Sequence, residues 1–220
     1  MLRVGVTGIT GGIGQAVNEL FGRRGVDIIG FARQPGPDQY PLDVTMDEPV
    51  ISQRIGEASP NGYDVWINLA GADILSGDNR KKPYFERLQQ LWDVDVLGTI
   101  KCCRAVIPYF HNTGMLINVA WDEALSGAPG DSASLYGTAK AAILGFSASF
   151  AKSVMPNVRV YVLSPGWVAT RWARSLTEEQ KSRLIQQSAS KKWIDPQDVA
   201  ETLWDMIHNP PPSGTVMMVN

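Results

Sequence analysis

An apolar run, Leu2 to Val6, breaks into Thr7-Gly8-Ile9-Thr10-Gly11-Gly12-Ile13-Gly14 and passes at once into a helical pattern over Ile13–Arg24. No other feature of the chain limits its fold so tightly. Gly8 permits a tight turn, Gly12 lets backbone come close to a ligand, and Gly14 lets the helix pack against the strand. The helix then aims its first N–H groups and the positive end of its dipole over the turn, a geometry suited to a pyrophosphate. The expected cradle is Gly8, Thr10, Gly11, Gly12, Ile13 and Gly14. A glycine-rich turn is also an ordinary strand-to-helix connection, so its meaning rests on what surrounds it.

The rest of the chain supplies that context. Short apolar, β-branched runs at Leu2–Thr7, Asp27–Ala32, Tyr63–Leu69, Met115–Ala120, Arg159–Ser164 and Val216–Val219, with a short one at Tyr40–Val44, read as strands buried on both faces. Helical patterns at Ile13–Arg24, Asp47–Ala58, Tyr84–Phe110, Ser134–Ser153, Thr177–Ser188 and Pro196–His208 alternate with them. Thr177-Glu178-Glu179 and Asp195-Pro196 carry clear helix-start signals. End-to-end alternation predicts an α/β, doubly wound Rossmann fold of about seven parallel strands with helices on both faces. No repeat or linker divides residues 1–220, so a single domain is expected.

Composition excludes several functions. A formal charge of −2 offers no basic field for nucleic acid and no polybasic membrane patch. Two histidines, His111 and His208, are too few and too scattered for a metal cage. Cys102 and Cys103 are adjacent and lack C-x-x-C spacing, so both read as reduced core or interface thiols. The chain enters its first strand without a charged-then-apolar leader, and no apolar run approaches the ~18 residues of a membrane span. A cytoplasmic protein is the expectation.

The second strand ends Phe31-Ala32-Arg33. A carboxylate at this place in a dinucleotide fold binds the ribose 2′-hydroxyl of NAD. Ala32 removes that acid, and Arg33 can pair with a 2′-phosphate, which favours NADP(H) over NAD(H). Arg33 could instead stack on the adenine without phosphate preference. Asp43, in Leu42-Asp43-Val44, either accepts the adenine amino group or caps a turn, with Val44 alongside.

Four features then occur in order: the glycine turn, Asn68-Leu69-Ala70-Gly71 after a strand, Tyr136-Gly137-Thr138-Ala139-Lys140 opening a helix, and Ser164-Pro165-Gly166-Trp167-Val168-Ala169-Thr170 after a late strand. Together they resemble the short-chain dehydrogenase/reductase family, with T-G-x-x-x-G-x-G, a variant N-N-A-G, Y-x-x-x-K and P-G-x-x-x-T, over essentially the whole chain. Residues four apart share a helical face, so Tyr136 and Lys140 point into one cleft. A phenol ionises near pH ~10, and a neighbouring ammonium is expected to lower that value, making Tyr136 able to exchange a proton with a carbonyl or alcohol oxygen. The resemblance implies that Lys140 also holds the nicotinamide ribose. Asn68, Ala70 and Gly71 would shape the backbone near the cofactor, and Pro165, Gly166, Val168 and Thr170 the carboxamide end of its pocket.

The chain also departs from the family pattern. Ala120 and Trp121 stand where the family places the serine that holds the substrate oxygen, and Asp95 stands where it places an asparagine. An indole N–H only donates, so Trp121 could hold a carbonyl oxygen without passing a proton, or could simply wall the pocket. Asp95 would favour a protonated Lys140 and partly offset its help to Tyr136. Ser126, Ser132 or Ser134 could fold back to supply the missing hydroxyl. The substrate region is expected at Asp73–Pro83, the loop after Trp121 and a lid around 171–192. There Trp167, Trp172 and Trp193 could line an apolar pocket, and Arg171 or Arg174 could meet an anion.

The leading reading is an NADP(H)-dependent oxidoreductase that interconverts a small-molecule carbonyl and a secondary alcohol. The alternative is a dinucleotide-binding sensor or scaffold with little or no turnover. The resemblance implies a homodimer or homotetramer paired through the long helices, with Ile100, Cys103, Ile107, Phe146 and Phe150 offering apolar surface.

Overall fold

Seven parallel strands stand in the order β3-β2-β1-β4-β5-β6-β7 in the computed structural model, which describes residues 1–188 and 190–219. Position 189, within the expected lid, lies outside the described residues. The strands are β1 (Arg3–Thr7), β2 (Asp27–Ala32), β3 (Gln39–Pro41), β4 (Tyr63–Asn68), β5 (Phe110–Val119), β6 (Val158–Pro165) and β7 (Val216–Val219). The helices are α1 (Gly12–Arg23), α2 (Glu48–Ala58), α3 (Tyr84–Leu91), α4 (Gly98–Val106), α5 (Asp131–Val154), α6 (Glu178–Gln187) and α7 (Pro196–His208). The strand order reverses direction between β1 and β4, which opens a crevice at the carboxyl ends of those strands. The doubly wound sheet expected from the alternation is the observed one.

Both faces of the sheet are covered, which is why its strands are apolar on successive residues. Val4, Val6, Val65 and Ile67 turn to one side and pack with Val17, Leu20 and Phe21 of α1 and Val199, Leu203 and Met206 of α7. Trp66, Leu116 and Val160 turn to the other and pack with Ile51 and Ile55 of α2 and Cys102, Cys103 and Val106 of α4. Full burial of each such aliphatic side chain stabilises the fold by about 1.5–3 kcal/mol. A third, smaller cluster joins Ile74, Leu91, Val96, Leu135 and Ala139.

The structure corrects several boundaries. The stretch Tyr84–Phe110 is not one helix: α3 passes into a π-helical turn at Trp92–Leu97, continues as α4, and ends in a 3₁₀ turn at Ile107–Tyr109. Pro108 removes a backbone donor and clashes with the preceding turn, so the helix stops there. Phe110 then opens β5, paired with Tyr63 well before Met115. β3 covers Gln39–Pro41 rather than Tyr40–Val44, because Asp43 turns the chain. α5 starts at Asp131, three residues before Ser134, after Gly130 at φ 102°. The two predicted start signals act as helix caps. Thr177 and Gln180 form a reciprocal capping box, and Asp195 accepts from the Gln197 N–H.

Cys103 also needs correcting as a surface residue. It is fully buried, accepts from Asn68 Nδ2 and donates to Asn118 Oδ1, each at 3.3 Å. Burial pushes its thiol up to about 12. Ile100, Ile107, Phe146 and Phe150 are partly buried, and the last two stack at 5.0 Å.

Candidate active site

A cleft of about 660 Å³ lies at the carboxyl ends of β1, β4, β5 and β6, within the size range of small-molecule sites. Every residue expected to touch a cofactor borders it, as do Asp95 and Trp121. The list includes Gly8, residues 10–14, Arg33, Asp43, Val44, Asn68, Ala70, Gly71, Asp95, Trp121, Tyr136, Lys140, Pro165, Gly166, Val168 and Thr170. Ala72 and Thr99 border it too, and no motif marked them.

One end of the cleft is made of main chain. Gly8 has φ +71°, and a Cβ there would lie 2.7 Å from the Leu69 carbonyl oxygen. A Cβ on Gly14 would lie 2.4 Å from the Gly8 oxygen and 2.7 Å from Ile9 Cα, so backbone blocks any side chain. Thr170 leans over Gly12 and joins the segment after β6 to the turn. α1 has no side-chain cap and no acid in its first turn, so its leading N–H groups and dipole are uncompensated. This is a cradle for an anion and fits the pyrophosphate of a dinucleotide. Arg33 stands exposed at its rim beyond the buried Ala32. Asp43 Oδ1 accepts from Thr45 N (3.0 Å) and Thr45 Oγ1 (2.8 Å), so the carboxylate caps its own turn.

Asn68 anchors the middle of the cleft from below. Its Oδ1 accepts from Trp66 Nε1 (2.9 Å), and its Nδ2 donates to Asn118 Oδ1 (2.8 Å). Asn118 in turn donates to Ser147 Oγ on α5 (2.9 Å). This chain of side chains ties β4, β5 and α5 together under the site and leaves the backbone of Ala70 and Gly71 to face the cleft.

The central cluster follows from the π-helical turn. The turn carries Asp95, 2% exposed, into the cleft floor. Asp95 Oδ1 accepts from the Ala72 N–H (2.8 Å), and Oδ2 pairs with Lys140 Nζ at 2.9 Å. Lys140 also donates to the Val119 carbonyl (3.2 Å). Tyr136, one turn earlier on α5, donates its hydroxyl to the Ala72 carbonyl (3.2 Å). The expected lowering of the Tyr136 phenol does not occur in this arrangement. Burial, with the negative charges of Asp95 and Asp73, pushes it well above the usual tyrosine value. Asp95 compensates the lysine charge that would otherwise favour a phenolate.

The far end is aromatic. Trp121 is 7% exposed, its Nε1 is enclosed without a hydrogen-bond partner, and its ring meets Trp167 edge-on at 5.5 Å. An enclosed N–H cannot reach a carbonyl in the cleft, so Trp121 presents its ring. Ser126, Ser132 and Ser134 do not border the cleft. Ser134 is instead engaged by Tyr84 and the Asp131 carbonyl. The lid region is tied at its base. Ile194 N donates to the Trp167 carbonyl and Ala169 N to the Ile194 carbonyl, both at 2.8 Å. Between these ends lie a 3₁₀ turn, Arg171–Ser175, and α6.

The family model described as enoyl-(acyl carrier protein) reductase matches residues 8–209. A 3-oxoacyl-[acyl-carrier-protein] reductase of Vibrio cholerae is 27% identical over 90% of this chain and 86% of its own length. Carbonyl reductase family member 4 of Xenopus tropicalis is 27% identical over 98% of this chain and 94% of its own. Among solved structures, NADP-bound ElxO superposes with a TM-score of 0.84 at 20% identity, covering 99% of this chain and 96% of that one. Ligand-free aldohexose dehydrogenase of Thermoplasma acidophilum gives 0.81 at 21% identity, covering 99% and 92%. Both structures share the fold.

Proposed function

The chain belongs to the short-chain dehydrogenase/reductase family of NAD(P)-dependent oxidoreductases, and from that premise we propose that it is an NADP(H)-dependent enzyme interconverting a carbonyl and a secondary alcohol, working best as a reductase. The observation that carries this reading is the single cleft that joins a side-chain-free anion cradle to Tyr136 and Lys140. The relatives named as carbonyl and 3-oxoacyl reductases support the reaction class. Ala32 and Arg33 support the NADP preference, since a guanidinium matches a phosphate and no carboxylate repels it.

The roles follow from position. The N–H groups around residues 11–14 hold the pyrophosphate, Arg33 the 2′-phosphate, and Lys140 the ribose next to the nicotinamide. The bound dinucleotide supplies hydride in reduction and accepts it in oxidation. As the carbonyl carbon gains hydride, Tyr136 Oη passes its proton to the carbonyl oxygen; the C=O π bond opens and C–H and O–H bonds form. A phenol kept neutral by burial and by Asp95 and Asp73 is ready to donate at neutral pH. Alcohol oxidation asks the same group to be a phenolate, which those neighbours oppose. A homodimer or homotetramer through the α4 and α5 faces belongs to the same proposal, with Ile100, Ile107, Phe146 and Phe150 at the contact.

The test is NADPH consumption over a broad panel of ketones, run beside cofactor binding by thermal shift. Turnover with at least one carbonyl, and a larger melting-temperature rise with NADPH than with NADH at equal concentration, is the expected result. Tight cofactor binding without turnover would favour the second reading, a dinucleotide-binding sensor or scaffold. The enclosed Trp121 in the place of a substrate-binding hydroxyl supports that reading.

A further inference from the structure

Four tryptophans form one continuous run at the substrate end. Trp121 meets Trp167 at 5.5 Å, Trp167 meets Trp172 at 5.5 Å, and Trp172 meets Trp193 at 5.7 Å, with ring planes inclined by 56–62°. Three of them, Trp121, Trp167 and Trp172, border the same cleft as Tyr136 and Lys140. Edge-to-face packing fixes the rings against one another, so they form a rigid wall with aromatic faces and edges on offer. The backbone staple between Trp167, Ala169 and Ile194 holds the base of this wall in place.

Two cationic groups stand beside the wall. Arg171 and Arg174 are exposed, border the cleft beside Trp172, and pair with no carboxylate among the described residues. The nearby acids are engaged elsewhere among the described residues. Asp95 is bound to Lys140, and Asp73 accepts the N–H groups of Leu75 and Ser76. Asp122, behind Gly166, does not border the cleft, and burial with the Glu123 charge raises its carboxyl above the usual range. The substrate end therefore combines an apolar wall of inclined indole rings with two guanidinium groups that pair with no carboxylate among the described residues.

We propose that the substrate is a planar aromatic carbonyl compound bearing a carboxylate, its ring system packed face to edge among the inclined rings of Trp121, Trp167 and Trp172 and its anion held by Arg171 and Arg174. Arginine suits this role because its planar fork pairs with both carboxylate oxygens. The proposal rests on the reductase reading above and narrows it to a substrate class.

The experiment uses the full chain with NADPH and three probes: 6-acetyl-2-naphthoate, 2-acetylnaphthalene and a short 3-oxoacyl thioester. The charged ring is expected to be reduced with kcat/KM about tenfold or more above the neutral ring, the effect of one charge-assisted pairing. The neutral ring should in turn exceed the thioester. In Arg171→Ala/Arg174→Ala the ratio of charged to neutral ring should fall to near one. In Trp172→Leu the advantage of ring over thioester should shrink. Equal kcat/KM for all three probes, or a preference for the thioester, would overturn the assignment. A binding measurement keeps the outcome separate from turnover: 2,6-naphthalenedicarboxylate should quench tryptophan fluorescence of the NADPH-loaded protein more strongly than naphthalene, and less so in the double variant. No quenching overturns this proposal whatever the turnover. Quenching without any carbonyl reduction overturns the reductase reading and leaves an anionic-aromatic binding site.

Discussion

The two ends of the cleft are built from opposite materials. The cradle end is main chain, defined by glycines that forbid a Cβ, with N–H groups and a helix dipole as its chemistry. The substrate end is side chain, with a buried ion pair, a phenol, indoles and two exposed arginines. Backbone suits a ligand part that never varies, because its donors are fixed once the turn is formed. Side chains suit a part that must be chosen, because each can change without rebuilding the sheet. Changes at the cradle should therefore act on binding and stability together. Changes at the substrate end should act on rate and selectivity with the fold intact.

The sharpest way to break that division is Tyr136→Phe. General acid catalysis contributes about 10²–10⁴-fold, so kcat should fall by that order while NADPH still raises the melting temperature. Loss of cofactor binding in this variant would mean that the phenol belongs to the cradle instead. Gly14→Ala is the reciprocal change. The new methyl meets backbone of Gly8 and Ile9, and overpacking of this kind costs about 1–3 kcal/mol. Calorimetry should record a lower melting temperature together with weaker NADPH binding, whereas a normal melting temperature would show that the turn can relax.

Asp95→Asn probes the middle. The variant removes a negative charge that keeps the phenol up and frees the lysine charge that pulls it down, so both effects lower it. Alcohol oxidation, which needs the phenolate, should set in at lower pH than in the wild type. Carbonyl reduction, which needs the phenol, should begin to fall at lower pH. Unchanged pH profiles would show that Asp95 acts only as a brace for Ala72. The smallest expected effect is Arg33→Ala. An exposed guanidinium paired with a phosphate contributes about 1.5–3 kcal/mol at most, so the preference for NADPH over NADH should drop about tenfold. No preference in the wild type would remove Arg33 from the site.

The same contrast explains what could be read from the chain alone. The cradle was legible because its signal is local: a β-branched run, then glycines, then a helix. The strands of the sheet were legible for the same reason, apart from β3, which Asp43 ends early, and β5, whose first residues, Phe110 to Thr113, are mostly polar and follow a helix stopped by Pro108. The substrate end depends on distant residues. Tyr136 and Lys140 announce themselves by spacing, but Ala72, which bonds Tyr136 through its carbonyl and Asp95 through its N–H, has no side chain to mark it. The wall of tryptophans spans residues 121 to 193, and neither end foretells the other. Asp95 was legible as a partial offset to Lys140, but the raised Tyr136 phenol was missed because spacing shows neither how deeply the phenol is buried nor that Asp73 stands near it.

The π-helical turn at Trp92–Leu97 has one further consequence. Leu91 and Val96 on one side belong to the small cluster with Leu135 and Ala139 of α5, while Cys102, Cys103 and Val106 on the other belong to the core with α2. A turn that closes its hydrogen bonds over five residues instead of four holds one residue more than an ordinary turn, and so rotates everything after it by about 100°. The rod from Tyr84 to Val106 thus works as two pieces in different phase, joined at the residue that grips Lys140. Deleting a single residue within the turn would restore a uniform helix and swing Asp95 off its mark. The protein would keep both packing surfaces in its sequence and lose the ability to present them at once.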